Sequence, residues 1–370
     1  FAAAVDWASP SNQFLVAVSS TSDPTDPWAG FAIDADTDDA QIAYNPTLGM
    51  NRDVVTITGN LFPVSGSGVT STSFLVIPKA DLTAATPTAA NATLFENQNA
   101  VDTGYYVQPA VDLTNDNLPL RLLSAWNKPL GQLKTSSITG SPTSPSLTTA
   151  GGFIGVTARA TPPDIDQPGT KTDIETNADG FYSSVVMQQH TWRTNPSLWA
   201  THTVEKNARS IVEWYEIDAV TNMLLQSGTI EDPSLSLAYP SIAVSPDGYA
   251  VIGFSAGDPG NFVGGYFVGG DTTAGVTDFG PITVTQPGLA DYERLDGAGR
   301  NRWGDYTATV LDPVEANVFW TFQEYVYETD RWAVQATELR LDQGQIPEPV
   351  TGAVLLLGGW VLLRRRHPSR

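Results

Sequence analysis

The 370-residue chain contains no cysteine. Disulfides, zinc-thiolate centres, iron–sulfur clusters and a cysteine nucleophile are therefore excluded, and the fold must draw its stability from core size alone. Charge is also scarce, at 16% of residues. Long solvent-facing helices need many Glu, Lys and Arg on their polar face, so a helical bundle is disfavoured. Basic residues number 19 against 40 acidic ones, for a formal net charge of −21. Four of the 19 stand in the last 25 residues beside a single acid, Glu348, so the remainder is more acidic than the whole. A field of that sign repels nucleic-acid phosphates and anionic lipid. It suits solubility in a salty exterior, with Ca2+ attraction the weaker alternative and no other cofactor implied.

What the chain does contain reads as β structure. Aromatic residues make up 10%, Gly and Pro number 32 and 26, and Val and Thr recur in short runs bounded by turn residues. Clean strands are predicted at Val54 to Thr58, Ser73 to Ile77, Ser210 to Ile217 and Val318 to Tyr327. Ser245-Pro246-Asp247-Gly248 predicts a hairpin turn between Ile242 to Val244 and Tyr249 to Phe254. Glu213 and Glu216 around Trp214 predict a half-buried strand. The Pro/Ser/Thr stretches Thr135 to Ala150 and Thr161 to Thr172 read as loops. The pairs Gly264-Gly265 and Gly269-Gly270 bracket a short strand, Tyr266 to Val268, with no helix or Lys after it to cradle phosphate.

One layout recurs, a Pro- or Gly-rich turn leading into an aliphatic strand. Pro46-Thr47-Leu48, Pro109-Ala110-Val111 and Pro240-Ser241-Ile242 lie 63 and 131 residues apart, the second gap being close to two steps. Trp303 to Thr307 keeps the same step, and a further unit falls near residue 175, where Asn177 to Gly180 precede a strand Phe181 to Met187. Such regularity predicts a radial repeat of four-stranded sheets.

The carboxyl terminus has a different character. Ile346-Pro347-Glu348-Pro349 leads into the apolar run Val350 to Leu363, followed by Arg364, Arg365 and Arg366. Prolines leave an extended segment, the apolar run can enter a bilayer, and the arginines hold its end on the cytoplasmic side. A helix of 14 residues spans ~21 Å against ~30 Å of hydrocarbon, which suits a temporary stop better than a lasting anchor. The arrangement resembles the PEP-CTERM sorting signal of Gram-negative bacteria, with Pro347-Glu348-Pro349 as its motif. That resemblance implies an exosortase-type processing enzyme, cleavage near the motif, and delivery of the body to the cell surface or exopolysaccharide matrix.

The stretch Arg302-Trp303-Gly304-Asp305-Tyr306-Thr307, with Asp312-Pro313 and Phe319 to Tyr325, resembles the closing blade of sialidase-like propellers found in secreted bacterial proteins. Val16 to Ser20, Asp23-Pro24 to Trp28, and Tyr239 to Val244 resemble other blades of that family. The resemblance implies an all-β, six- or seven-bladed β-propeller over residues 1–342 with blades upstream of Phe1. A linker (343–349) and a transmembrane sorting tail (350–370) complete the expected organisation.

Candidate sites follow. Arg302, Trp303, Asp305 and Tyr306 form the sharpest cluster, either a ligand-facing patch or a structural one in which the rings fill space between blades and Asp305 caps a turn. A sialidase-like glycosidase would need an arginine cluster, a Tyr nucleophile with a Glu partner, and an acid. Arg52, Arg121, Arg193, Arg302 and Tyr306, with Glu213 or Glu324, are available, yet no spacing ties them together, and Asp-box turns are missing. His190 and His202 lack a third metal ligand, so packing is the stronger reading. Asp34 to Asp39 alternates carboxylates like part of a calcium loop but lacks its central Gly and terminal Glu, and reads as a solvated acidic turn. Trp126, Trp192 and Trp199 are expected on loops, where they would stack on sugar rings. No catalytic residue is assigned. The expected role is an exported glycan- or matrix-binding or structural module, with a secreted glycoside hydrolase as the alternative.

Overall fold

The computed structural model describes residues 1–6, 11–66, 68–127, 129–176 and 185–341. Its strands follow one another as antiparallel meanders. The first holds β1 (Ala2–Val5), β2 (Gln13–Ser19) and β3 (Trp28–Asp34); the second β4 (Gln41–Met50), β5 (Val54–Pro63), β6 (Ser71–Pro78) and β7 (Thr93–Asn99). The third holds β8 (Gln108–Asp112), β9 (Leu120–Asn127), β10 (Gln132–Ser141) and β11 (Ser144–Gly155); the fourth β12 (Val185–Gln188), β13 (Ser197–Lys206), β14 (Arg209–Asp218) and β15 (Leu224–Ile230). In the fifth, β16 (Ser236–Val244), β17 (Ala250–Asp258) and β18 (Asn261–Thr273) run in order, and both β19 (Val276–Phe279) and β20 (Thr283–Gln286) pair with β18. The sixth comprises β21 (Ala308–Leu311), β22 (Val318–Glu328) and β23 (Arg331–Arg340). Helix is confined to single turns, α1 (Lys79–Leu82) and α2 (Ala100–Thr103). No helix among the described residues is long and apolar enough to cross a membrane.

The first strands of the second, third and fourth meanders pair directly with one another. β4 pairs in parallel with β8, and β8 in parallel with β12. Apolar residues are packed between meanders rather than within them, because a strand pair buries its faces only against another sheet. Phe14 and Val16 of the first meet Ile57 and Leu75 of the second; Phe74 of the second meets Leu122 of the third. Leu123 and Ile154 of the third meet Met187 and Tyr215 of the fourth; Trp199 and Trp214 of the fourth meet Ile252 and Phe254 of the fifth; Val251 of the fifth meets Phe319 of the sixth. Each such large side chain contributes roughly 1.5–3 kcal/mol by leaving water. A polar seam also joins the last two units: Ser241 bonds Thr309 at 2.8 Å, Thr309 bonds Thr321 at 3.0 Å, and Gln323 donates to Thr321 at 2.9 Å.

The recurring prolines mark these first strands. Pro46, Pro109 and Pro240 lie in β4, β8 and β16, and the expected step after Trp303 ends at β21. Asn45 and Tyr239 precede two of them at φ 52° and 54°. The register shifts there, between Tyr44 and Thr47 and between Ala238 and Ser241, so the ladder loses nothing by the missing proline N–H. The 245–248 hairpin also forms, Gly248 taking φ 92°. Residues Phe181–Ser184 of the strand expected near 181–187 lie outside the described residues, as do Asn177 to Gly180.

Three expectations are corrected. Thr135 to Ala150 is not a loop but most of the hairpin β10–β11, with Ser141 opposite Ser144 across a tight turn. Its threonines are β-branched and favour the pleat, and Pro145 is tolerated because β11 is an edge strand paired only with β10. The glycines at 264–265 and 269–270 do not end a short strand; β18 runs through them. Strand β14 is not half-buried, since Ser210 to Ile217 are buried on both faces, sandwiched between neighbouring units.

Candidate functional site

The cluster predicted at 302–306 assembles where β16 and β21 begin. Three segments build it: the coil around Glu175, the bulge at Tyr239, and the stretch leading into β21. An isolated bridge from Ile174 to Asn301 aligns the first and third. Arg302 donates from Nη1 to Glu175 Oε2 at 2.5 Å and from Nη2 to Asp305 Oδ1 at 3.0 Å. Arg300 donates to the other oxygen of Glu175 at 2.9 Å and to Asp296 Oδ2 at 2.8 Å. The left-handed bulge turns the Tyr239 hydroxyl onto the Glu175 carbonyl, to which it donates, while Thr307 Oγ1 donates to the Tyr239 carbonyl at 2.7 Å. Trp303 is buried edge-to-face against Tyr292, ring centres 5.0 Å apart, and its indole N–H reaches Ser255 Oγ at 3.3 Å. Tyr306 stays 40% exposed at the rim.

Behind this network lies Glu324 of β22, buried, with its Oε2 lacking a hydrogen-bond partner. Burial, with a further push from the Asp305 charge, raises its carboxyl to about 7 against the opposing hydrogen bond of the Gly304 amide. Only glycine fits at 304, because a Cβ there would stand 2.0 Å from Glu324 Oε2. Burial likewise raises Asp305, with Arg302 opposing it. The cluster thus offers an exposed aromatic ring, carboxylate edges already neutralised by arginine, and one buried carboxyl able to exchange a proton near neutrality.

The arginines named with Arg302 are not brought together. Arg52 pairs with its neighbour Asp53 at the surface, and Arg121 donates to Asn222. Arg193 clamps Glu216, at 2.9 Å and 2.6 Å, and also donates to the Gly275 carbonyl at 3.0 Å. Glu213 is taken by Arg159 at 2.9 Å and by the Tyr215 hydroxyl at 2.6 Å. These groups are engaged at separate places, so Arg52, Arg121, Arg193, Arg302 and Tyr306, which no sequence spacing tied together, do not assemble into a sialidase-type set.

The histidines are packing groups. His190, buried, accepts the Trp199 indole N–H at Nε2, 3.0 Å away, and stacks on Trp192 at 4.6 Å; burial lowers its pKa, which keeps that nitrogen free to accept. His202 bonds the Tyr215 hydroxyl at 2.8 Å. Among the described residues no three His, Asp or Glu side chains converge as metal ligands. The acidic turn is not fully solvated: Asp36 is buried, accepting from the Gln41 amide at 2.7 Å and from Asn97 at 3.2 Å. Trp199 is buried completely and offers no face to a sugar, and Trp192 is half-buried against His190. The side chain of Trp126, the motif Pro347-Glu348-Pro349, the run Val350 to Leu363 and Arg364 to Arg366 lie outside the described residues. Glu175 and Tyr239 were not singled out by the sequence as site residues; the Tyr-Pro pair at the head of a repeat was the one available signal for Tyr239.

No protein-family model matches the chain, the 346–370 segment included, and no curated relative is found. Among solved structures, the chain is similar to a protein of unknown function from Dyadobacter fermentans, with TM-score 0.41 and 12% identity over 81% of this chain and 79% of that one. It is similar to a GH43_1 enzyme from Xanthomonas citri, with TM-score 0.39 and 10% identity over 80% and 87%. It is also similar to the Trypanosoma rangeli sialidase, with TM-score 0.43 and 11% identity over 86% of this chain and 49% of the sialidase, so it spans about half of that protein. At these scores the likenesses say nothing of activity or substrate; the all-β body of successive meanders stands on its own strand pairing and packing.

Proposed function

We propose that this chain is an exported propeller-type protein that holds glycan at the cell surface or in the extracellular matrix without cleaving it. Six meanders, each packed on the next, support a propeller-type body of six or seven blades. The observation that carries the reading is the state of the charges where β16 and β21 begin. Arg302 and Arg300 are spent on Glu175, Asp305 and Asp296, which leaves Tyr306 exposed beside neutralised carboxylates. An aromatic face next to hydrogen-bond acceptors suits a sugar ring and its hydroxyls. Ca2+ bridging between the acidic surface and polysaccharide is a secondary contribution. Glycan-array binding, with and without calcium, tests this: binding that falls at least tenfold in Tyr306→Ala is expected, and no binding to any polysaccharide at micromolar protein would overturn it.

Delivery belongs to the same reading. Pro347-Glu348-Pro349 would be gripped by an exosortase-type enzyme while Val350 to Leu363 and Arg364 to Arg366 hold the chain transiently in the membrane of a Gram-negative cell. Replacing the three motif residues by alanine should leave the uncleaved form in the membrane fraction; unchanged release would refute the sorting role. A second reading, a glycoside hydrolase, is favoured by one observation, the Glu324 carboxyl poised near neutrality beside Asp305. Turnover of sialyl or uronyl substrates that disappears in Glu324→Gln would establish it instead.

A further inference from the structure

Sharing no residue with that cluster, a cleft of about 620 Å3 opens between the outer strands of the fourth and fifth meanders, between β15 and β19. Its floor includes the indole of Trp214, which is clamped and cannot turn away. Trp199 stacks on it at 6.0 Å and Phe279 meets it edge-on at 5.2 Å. In the β14–β15 register Trp214 stands opposite Gly228. A Cβ at position 228 would lie 2.8 Å from the indole nitrogen and 3.0 Å from Cε2 and Cζ2. The missing side chain therefore uncovers the N–H edge. Trp214 is only 5% exposed, yet its N–H has no acceptor among the described residues. The nitrogen is not among the fully buried unpartnered atoms, so its N–H meets the open cleft, where a ligand oxygen can take the place of water as its acceptor.

The rest of the lining fixes what carries that acceptor. Glu231, Asp232 and Asp278 supply carboxylates. Glu231 is paired with Lys206 at 2.6 Å, and Asp232 accepts the amides of Ser234 and Leu235 at 2.8 Å and 3.0 Å. An anionic sugar is repelled by this lining. A metal ion or an ammonium group has no lone pair to offer the indole N–H. A neutral pyranose satisfies every element at once: a ring or hydroxyl oxygen accepts from Trp214, hydroxyls donate to the carboxylates, and its C–H face lies on Phe279.

We propose that this cleft is a second carbohydrate site, selective for a neutral pyranose unit of a polysaccharide and independent of the Arg302–Tyr306 cluster. The test titrates the whole chain with maltohexaose, cellohexaose and mannohexaose in turn, following tryptophan fluorescence and binding heat, with hexagalacturonate as the acidic control. At least one neutral hexasaccharide should bind and hexagalacturonate should not. Gly228→Val should abolish that binding, and Asp278→Ala, at an exposed position that leaves folding intact, should weaken it about tenfold, the worth of one hydrogen bond to a charged group. Tyr306→Ala should leave it unchanged. Binding by none of the three neutral sugars, equal binding of hexagalacturonate, or wild-type affinity in Asp278→Ala would each overturn the assignment, and loss in Tyr306→Ala alone would return the site to the other cluster.

Discussion

Substituting Glu324 by glutamine probes the chemistry of the cluster through stability rather than activity. The folded carboxyl ionises at about 7, above the usual glutamate value of 4.5. The folded state therefore holds a proton that the unfolded chain has released between those two values, and stability falls as pH rises through that window. Each pH unit carries ~1.4 kcal/mol, so the wild type should lose at most ~3 kcal/mol between pH 4.5 and pH 7 from this group and nothing more above it. Glutamine keeps the shape, cannot ionise, and keeps an oxygen to accept the Gly304 amide. Glu324→Gln should match the wild type near pH 5, gain up to ~3 kcal/mol at pH 8, and flatten the pH profile between. Urea unfolding at half-unit pH steps measures this directly. A variant less stable at pH 8, or a profile as steep as before, would refute the claim that an ionised Glu324 is held there at a cost.

Glu216, fully buried, reverses the sign. Burial opposes its charge, but hydrogen bonds from Arg193, Ser197 and Gln226 outweigh that and hold its pKa below the usual value. Its contribution is present above pH ~4.5 and lost as pH falls through the lower folded value. Glu216→Ala should cost ~3–5 kcal/mol at pH 7 by urea unfolding, since it leaves the half-buried Arg193 without its carboxylate and Ser197 and Gln226 without their acceptor; a loss under 1 kcal/mol would contradict the assignment. Gly304→Ala should cost ~1–3 kcal/mol and displace the Glu324 carboxylate, removing the near-neutral step in a carboxyl NMR titration. His190→Leu should cost ~1–3 kcal/mol by leaving the Trp199 indole N–H unpaired, and an unchanged melting temperature would show that the bond contributes nothing.

The repeat was legible because a proline and an aliphatic run mark the first strand of the second, third and fifth units, with bulges at Pro46 and Pro240 that tolerate a missing N–H. The hairpin at 245–248 was legible because its chemistry is local. The β10–β11 hairpin was not, since Ser and Thr serve loops and strands alike and only pairing decides. Site residues divided in the same way. Arg302, Trp303, Asp305 and Tyr306 stood out as one segment, but Glu175 and Glu324 join them from 127 and 22 residues away through the bridge at Asn301 and the β21–β22 pairing. Trp192 stands on the turn before β13, as expected, whereas Trp126 and Trp199 lie in strands β9 and β13; composition does not reveal that both faces of β13 and β14 are covered by neighbouring units.

The central claim, glycan held without cleavage, is tested most directly by proton NMR of a neutral and a sialylated polysaccharide incubated with micromolar protein. Binding without cleavage predicts broadened sugar resonances and an unchanged anomeric region over a day. New reducing-end anomeric signals that grow with time and vanish in Glu324→Gln would contradict it.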